Sequence, residues 1–187
     1  MHNYLPKIYH FIDELNINNI KYLNRKIGII YRNYQVKTSI KKLIDLKNFC
    51  KKTNRHFYIS NNFELAFKLK LDGVYIPSFN KINFKKKYQN LSNFKIIGSA
   101  HNLKEIKIKE KQGVNCIFLS PLFYVNKNNK FLNIIKFNLL SKLTSLPVIA
   151  LGGITMQNIK RIKMTKSFGF ASISFIKNGY KIPHLML

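Results

Sequence analysis

The sequence predicts an α/β fold, a compact (β/α)8 barrel with trimmed helices, on three observations. Apolar, β-branched and aromatic runs of strand length recur eight times along the chain, segments with helical apolar spacing separate them, and the connections are short. Alternation of this kind gives parallel strands joined by right-handed crossovers, which close as a barrel or spread as a doubly wound sheet; eight units favour closure. The 187 residues fall below the usual length of such barrels, about 250, so some helices must be shortened or replaced by loops. No break in composition divides the chain, and residues 1–187 read as a single barrel domain.

Reading forward, strands are expected over Lys7–Ile12, Ile27–Arg32, His56–Ser60, Gly73–Ile76, Phe94–Gly98, Asn115–Ser120, Pro147–Leu151 and Gly169–Ser174. The clearest helix is expected over Ser39–Lys52, where Ile40, Leu43, Ile44 and Phe49 form one stripe. Further helices are expected over Asn62–Leu69, Asn102–Gln112 and Asn133–Leu143. The segments after the first strand and around Lys81–Asn90 carry only weak helical patterns.

The composition excludes several chemistries. With 33 Lys plus Arg against 7 Asp plus Glu, the net charge is +26. A field of that sign attracts phosphorylated metabolites, nucleic acid and anionic membrane alike, and by itself selects none of them. The lysines are dispersed from Lys7 to Lys181, with a local cluster at Lys85-Lys86-Lys87. Such dispersion fits a solvated surface better than a nucleic-acid track. The carboxylates are Asp13, Glu14, Asp45, Glu64, Asp72, Glu105 and Glu110, so paired-carboxylate catalysis is hard to assemble. Cys50 and Cys116 stand far apart with no CxxC pair, which argues against a disulfide framework or a structural zinc site. Neither a signal peptide nor a membrane span is visible, and a cytoplasmic location is expected.

The apolar run Pro147-Val148-Ile149-Ala150-Leu151 stops at Gly152-Gly153 and turns into a polar, helix-like segment. Backbone N–H groups at such a turn can cradle a phosphate; the alternative is a tight turn in which glycine only supplies positive φ. Under the barrel reading the turn follows the seventh strand, where phosphate commonly sits in this fold. A bulky residue at Gly153 is then expected to abolish phosphate binding while leaving the fold intact. The other strand ends present Asp13, Arg32, Asn61, Ser78, Asn80, Ser99, His101, Ser120, Lys127, Lys130 and Ser174, a set dominated by hydrogen-bond donors and cations. Such a set suits a polar, anionic ligand.

Several blocks make the sequence recognisable. Phe57-Tyr58-Ile59-Ser60-Asn61-Asn62 precedes Leu71-Asp72-Gly73-Val74-Tyr75-Ile76; Gly98-Ser99-Ala100-His101-Asn102-Leu103-Lys104-Glu105 precedes Ile117-Phe118-Leu119-Ser120-Pro121-Leu122-Phe123; and Pro147 to Ile154 follows. In this order and spacing the chain resembles the thiamine phosphate synthase/TenI family over roughly residues 27 to 175, in a short, divergent branch. The resemblance implies a transferase of thiamine biosynthesis that couples hydroxymethylpyrimidine pyrophosphate to a thiazole phosphate with release of pyrophosphate. It implies thiazole phosphate on the backbone of Gly152, Gly153, Ile173 and Ser174, Arg32 facing the pyrophosphate, and Ser99 beside the departing group. Asn61, Asn80, His101, Lys127 and Lys130 become candidates on the pyrophosphate and pyrimidine side.

The chain also departs from that pattern. The family's two magnesium-binding aspartates align with Asn61 and Asn80, which offer neutral oxygens only, so Mg²⁺ is expected to bind weakly at best; Asp13 is the remaining carboxylate placed for a metal or a ring amine. A glutamine and a lysine flanking the family's second-strand arginine become Ile30 and Tyr34. The loop after the sixth strand has become Tyr124-Val125-Asn126-Lys127-Asn128-Asn129-Lys130, whose lysines either restore cationic contacts or add to the surface charge. A TenI-type thiazole tautomerase is disfavoured because its histidine aligns with Pro121. A catalytically reduced barrel that binds a phosphorylated thiazole- or thiamine-type ligand is the alternative. The partners expected are phosphorylated small molecules, with homo-oligomerisation open and specific nucleic-acid binding not supported.

Overall fold

The computed structural model describes residues 4–36, 38–83, 93–126 and 130–177. Its eight parallel strands are β1 (Ile8–Ile12), β2 (Ile27–Tyr31), β3 (Phe57–Ser60), β4 (Gly73–Ile76), β5 (Lys95–Ala100), β6 (Cys116–Leu119), β7 (Val148–Leu151) and β8 (Gly169–Ser172). They pair in sequence order, and β1 closes the barrel against β8 through Ile8↔Phe170, Tyr9↔Ala171 and His10↔Ser172. Closure leaves no strand edge unpaired.

The helices are α1 (Ile40–Lys52), α2 (Phe63–Lys68), α3 (Leu103–Lys111), α4 (Asn133–Ser141) and α5 (Ser174–Lys177), with 3-10 turns at Ile17–Asn19 and Ile159–Met164. The expected helices hold to within two residues, because the ranges read from sequence include their caps. Asn62 Oδ1 accepts from Leu65 N at 3.0 Å and Asn102 Oδ1 from Glu105 N at 3.0 Å, so each residue ends a loop rather than opening a helical turn. Where α4 begins, the side chain of Asn133 accepts from Lys136 N at 3.0 Å. Trimming is concrete: after β1 and after β7 only 3-10 turns remain. The cluster at 85–87 and most of the weak pattern at 81–90 lie outside the described residues.

Strand side chains alternate between two cores. Ile8, Ile12, Ile29, Ile59, Val74, Ile117 and Ala150 face the helices. Tyr9, Phe11, Ile30, Tyr58, Tyr75, Ile97, Cys116, Phe118, Ile149 and Ala171 fill the barrel itself. Phe118 stands at its centre, with ring centroids 4.9 Å from Tyr9, 6.1 Å from Phe11 and 5.6 Å from Tyr75. The interior is thus an aromatic plug and supports a site only at its ends. Both thiols are free and buried, Cys116 inside the barrel and Cys50 on α1. No helix among the described residues is long and apolar enough to cross a membrane.

Four strands differ from the sequence reading at their C-terminal ends, β2 and β6 by one residue each, at Arg32 and Ser120, and β5 and β8 by two; the turn after β7 differs as well. Ser99 belongs to β5, which runs to Ala100, instead of following it. β8 stops at Ser172, and Ser174 opens α5. The segment after Gly152-Gly153 is not a helix start: Thr155 N donates to Asn158 Oδ1 at 2.9 Å, and the 3-10 turn begins only at Ile159.

Candidate active site

The period-two alternation that fills the barrel also selects what stands on top of it. Two residues beyond the interior positions Ile30, Tyr58, Ile97 and Phe118 come Arg32, Ser60, Ser99 and Ser120. The strands therefore deliver one guanidinium and three hydroxyls to the C-terminal mouth, above the aromatic plug. Arg32 continues the ladder by donating its N–H to Ile12 O at 2.8 Å, and its guanidinium carbon lies 4.9 Å from the centroid of the Phe11 ring.

Two tyrosines stand against this set, one of them hydrogen-bonded to it. Tyr34 Oη and Ser60 Oγ are 2.6 Å apart, and the Tyr34 ring meets Phe79 edge-on at 5.9 Å. Tyr75, buried inside the barrel, has its phenol beside Ser99. Burial pushes the Tyr75 phenol up to about 12, while Ser99 and the Arg32 charge act in the opposite direction. Burial also raises Tyr34, against its hydrogen bond to Ser60 and the same Arg32 charge. Both phenols therefore keep their protons at neutral pH and serve as donors beside a fixed cation, an arrangement for holding an anion and not for removing a proton.

Asn61 and Asn80 meet next to this set. Asn61 adopts φ +58, a left-handed conformation that Asn tolerates, and its N–H donates to Tyr75 O at 2.8 Å. Asn80 Nδ2 donates to Asn61 Oδ1 at 2.6 Å, while Asn80 Oδ1 accepts from Ile82 N at 2.9 Å. Both amide oxygens are thus engaged by N–H donors. A hard divalent cation needs several oxygens, preferably charged, turned toward one point; this pair does not fit Mg²⁺. Among the described residues no group of three or more His, Cys, Asp or Glu is placed to hold a metal.

On the other side of the mouth the glycine turn is fixed by its surroundings. Gly152 and Gly153 have φ of +92 and +69. Their carbonyls are engaged, Gly152 O by Phe123 N at 3.1 Å and Gly153 O by Asn158 Nδ2 at 2.7 Å. Their N–H groups have no acceptor among the described residues. A Cβ at 153 would overlap Tyr124 O and lie 2.6 Å from the Phe123 carbonyl carbon. The expectation that a bulky residue here spares the fold is therefore wrong, because backbone, not a movable side chain, stands in the way.

The remaining candidates scatter. His101 is tied into the start of α3, its Nδ1 2.8 Å from Glu105 Oε2 and its N–H donating to the same oxygen at 2.8 Å. Asp13 lines an outer crevice with Glu14, Asn33 and Asp45. Its carbonyl accepts from Asn33 Nδ2 at 2.9 Å. Ile173 and Ser174 are exposed at the start of α5, where Ser172 Oγ takes the N–H of Phe175 at 3.1 Å. Lys130 is exposed, and Lys127 lies outside the described residues. Tyr34, Ser60 and Tyr75 are candidate site residues, of which the sequence reading names only Tyr34, as a departure from the family pattern. The alternation that marks the strands also marks two of them: Ser60 and Tyr75 share the parity of Tyr58 and Gly73.

Comparison with known proteins agrees with this architecture. A sequence model described as thiamine monophosphate synthase matches residues 23–176. A thiamine-phosphate synthase of Prochlorococcus marinus subsp. pastoris is 33% identical over 130 residues, which are 68% of this chain and 37% of that protein. The thiamine-phosphate synthase of Pelagibacter ubique is 29% identical over 194 residues, covering 98% of this chain and 89% of its own. The chain thus spans little more than a third of one relative and most of the other. Among solved structures, thiamine phosphate pyrophosphorylase from Pyrococcus furiosus superposes with a TM-score of 0.74 at 19% identity, over 92% of this chain and 87% of that one, a likeness of fold. With most of its length matched, from β2 to α5, the chain belongs to the thiamine monophosphate synthase family.

Proposed function

We propose that this chain is a thiamine-phosphate synthase, joining a hydroxymethylpyrimidine pyrophosphate to a thiazole phosphate. The observation that carries the reading is the division of the barrel mouth: a guanidinium-centred donor set on β2 to β5, and across from it a turn whose backbone N–H groups lack acceptors among the described residues. One side suits pyrophosphate, the other a monophosphate.

The chemistry asks for this division. The bond between the pyrimidine methylene carbon and pyrophosphate oxygen breaks with its electron pair going to oxygen. The thiazole nitrogen lone pair then forms the new C–N bond, giving thiamine phosphate and pyrophosphate. No proton must be removed, which suits a mouth of protonated phenols and hydroxyls. Arg32, with Ser99 and the Tyr34–Ser60 pair, stabilises the charge that grows on the leaving oxygens; the glycine turn, with Ile173 and Ser174, holds the thiazole phosphate at a fixed distance. Lys130, exposed in the loop after β6, supplies a further cationic contact.

Charged, phosphorylated substrates fit a cytoplasmic reaction. Exposed Ile135 and Leu139 on α4, with Leu143 beyond it, support self-association. A second reading, a barrel that binds the phosphorylated thiazole without turnover, is favoured by the neutral Asn61–Asn80 pair. Purified protein with both substrates decides between them: formation of thiamine phosphate is expected, whereas saturable thiazole-phosphate binding with no product at any divalent-cation concentration establishes the binder. Binding of neither substrate overturns both.

A further inference from the structure

Lys109 is fully buried on α3, an unusual place for an ammonium group. Removing such a charge from water costs several kcal/mol unless its hydrogen bonds are replaced. Here all three are: Nζ donates to Pro77 O at 2.8 Å, to Asn80 O at 2.8 Å and to Gln112 Oε1 at 2.9 Å. Gln112, the C-cap of α3, reinforces the same loop through Nε2, donating to Asn80 O at 3.1 Å and Ile82 O at 2.7 Å. The lysine stem passes β5 at Gly98, where a Cβ would lie 2.9 Å from Lys109 Cδ. The sequence has thus made room for a cation that makes no ion pair with a carboxylate among the described residues and, besides Gln112, binds the underside of the loop after β4.

That loop carries two groups to the pyrophosphate side. Asn80 reaches Asn61 at 2.6 Å, and Phe79 packs its ring on Tyr34, which in turn holds Ser60. Residues 77–82 have no regular secondary structure to hold them in place. We propose that Lys109, seconded by Gln112, is a positioning residue: its ammonium pins the loop from below, setting Asn80 and Phe79 against Asn61 and Tyr34 for binding of the pyrophosphate substrate. In this chain an internal cation does from beneath what a metal cannot do between two neutral amides. The inference rests on the reading of the site as a thiamine-phosphate synthase.

Hydrogen exchange on the full chain, wild type against Lys109→Met, reads the loop without any need for turnover. Exchange at residues 78–82 is expected to rise about tenfold or more, the effect of losing a charged hydrogen bond, while β5, β6 and the rest of α3 keep their protection. Steady-state kinetics should show KM for hydroxymethylpyrimidine pyrophosphate raised about tenfold with KM for thiazole phosphate unchanged, a split that a loss of general stability does not produce. Unchanged exchange at 78–82, exchange raised throughout the barrel, or an equal rise in both KM values would overturn the proposal. If Lys109→Met does not fold, Gln112→Met is read by the same measurements and the same criteria. If the wild type makes no thiamine phosphate, the synthase reading fails by itself. The loop is then judged by exchange and by affinity for inorganic pyrophosphate, which Lys109→Met should weaken and which, if unaltered, overturns the positioning role.

Discussion

The two sides of the barrel mouth are built from different materials. At β7 the groups left without an acceptor among the described residues are backbone N–H donors, and the side chains matter only by being absent: Gly152 and Gly153 sit against Pro121, Phe123 and Tyr124 with no room for a Cβ. At β2 to β5 the groups are side chains, and each is held by another, Arg32 over Phe11, Tyr34 by Ser60 and Asn61 by Asn80. A backbone site can be altered only by moving the chain. A side-chain site can be rewritten one residue at a time, and in this chain it pairs two neutral amides, Asn61 and Asn80, which offer a metal no charge.

Breaking the rigid side should give the largest effect. Gly153→Val must relieve an overlap with backbone and adopt an unfavourable φ, and a loss of about 3 kcal/mol or more is expected. Denaturant unfolding measures it; a loss under about 1 kcal/mol would mean that the turn repacks and is not fixed as described. Breaking the adaptable side should spare stability and cost activity. Arg32→Met keeps the stem over Phe11 but removes the charge, and kcat/KM for the pyrimidine pyrophosphate is expected to fall about 100- to 1000-fold with thiazole-phosphate affinity unchanged. Equal losses for both substrates would show that the two sides are not separate.

The same contrast explains which features the sequence makes legible. Eight strand candidates correspond to eight strands, because alternating β-branched and aromatic residues specify both the strand and its inward face. Gly152-Gly153 is legible because few backbones demand two adjacent glycines. The role of Lys109 is not. In the sequence it is one lysine of a dispersed set, on a helix whose other lysines are mostly exposed. What distinguishes it is a glycine on the facing strand β5 and two carbonyl acceptors on the loop after β4, which spacing along one helix does not encode. Tyr75 is hidden for a related reason: it reads as core, and only the fold sets its phenol beside Ser99 and near the Arg32 charge.

Burial of Lys109 also sets a pH dependence. Desolvation lowers its pKa from an ordinary value of 10.5 to about 8. Between these values the unfolded chain holds a proton that the folded chain has released, so the Lys109 contribution to stability rises with pH across this window. Relative to Lys109→Met, the wild type should gain about 2 kcal/mol between pH 8 and pH 10. The comparison must be with the variant because the buried thiols of Cys50 and Cys116, both raised to about 12, act in the opposite sense above pH 9. A difference that stays flat over this range would mean that the ammonium is hydrated in the native state.

The smallest expected effect probes the neutral pair itself. In Asn61→Asp/Asn80→Asp two carboxylates replace two amides 2.6 Å apart, and the hydrogen bond between them is lost to repulsion. Without a divalent cation the variant should melt below the wild type; with millimolar Mg²⁺ it should regain about 1–2 kcal/mol, as expected for a ligand well above its Kd, while the wild type does not respond. A matching Mg²⁺ response in both proteins would mean that the wild-type site takes the cation after all, and that the amide pair opens to admit it. No response in either would mean that the geometry, and not only the charge, has drifted from a metal site. The variant thus separates two histories of the adaptable side, one in which only charge was removed and one in which the loop clamped by Lys109 also moved the groups out of register.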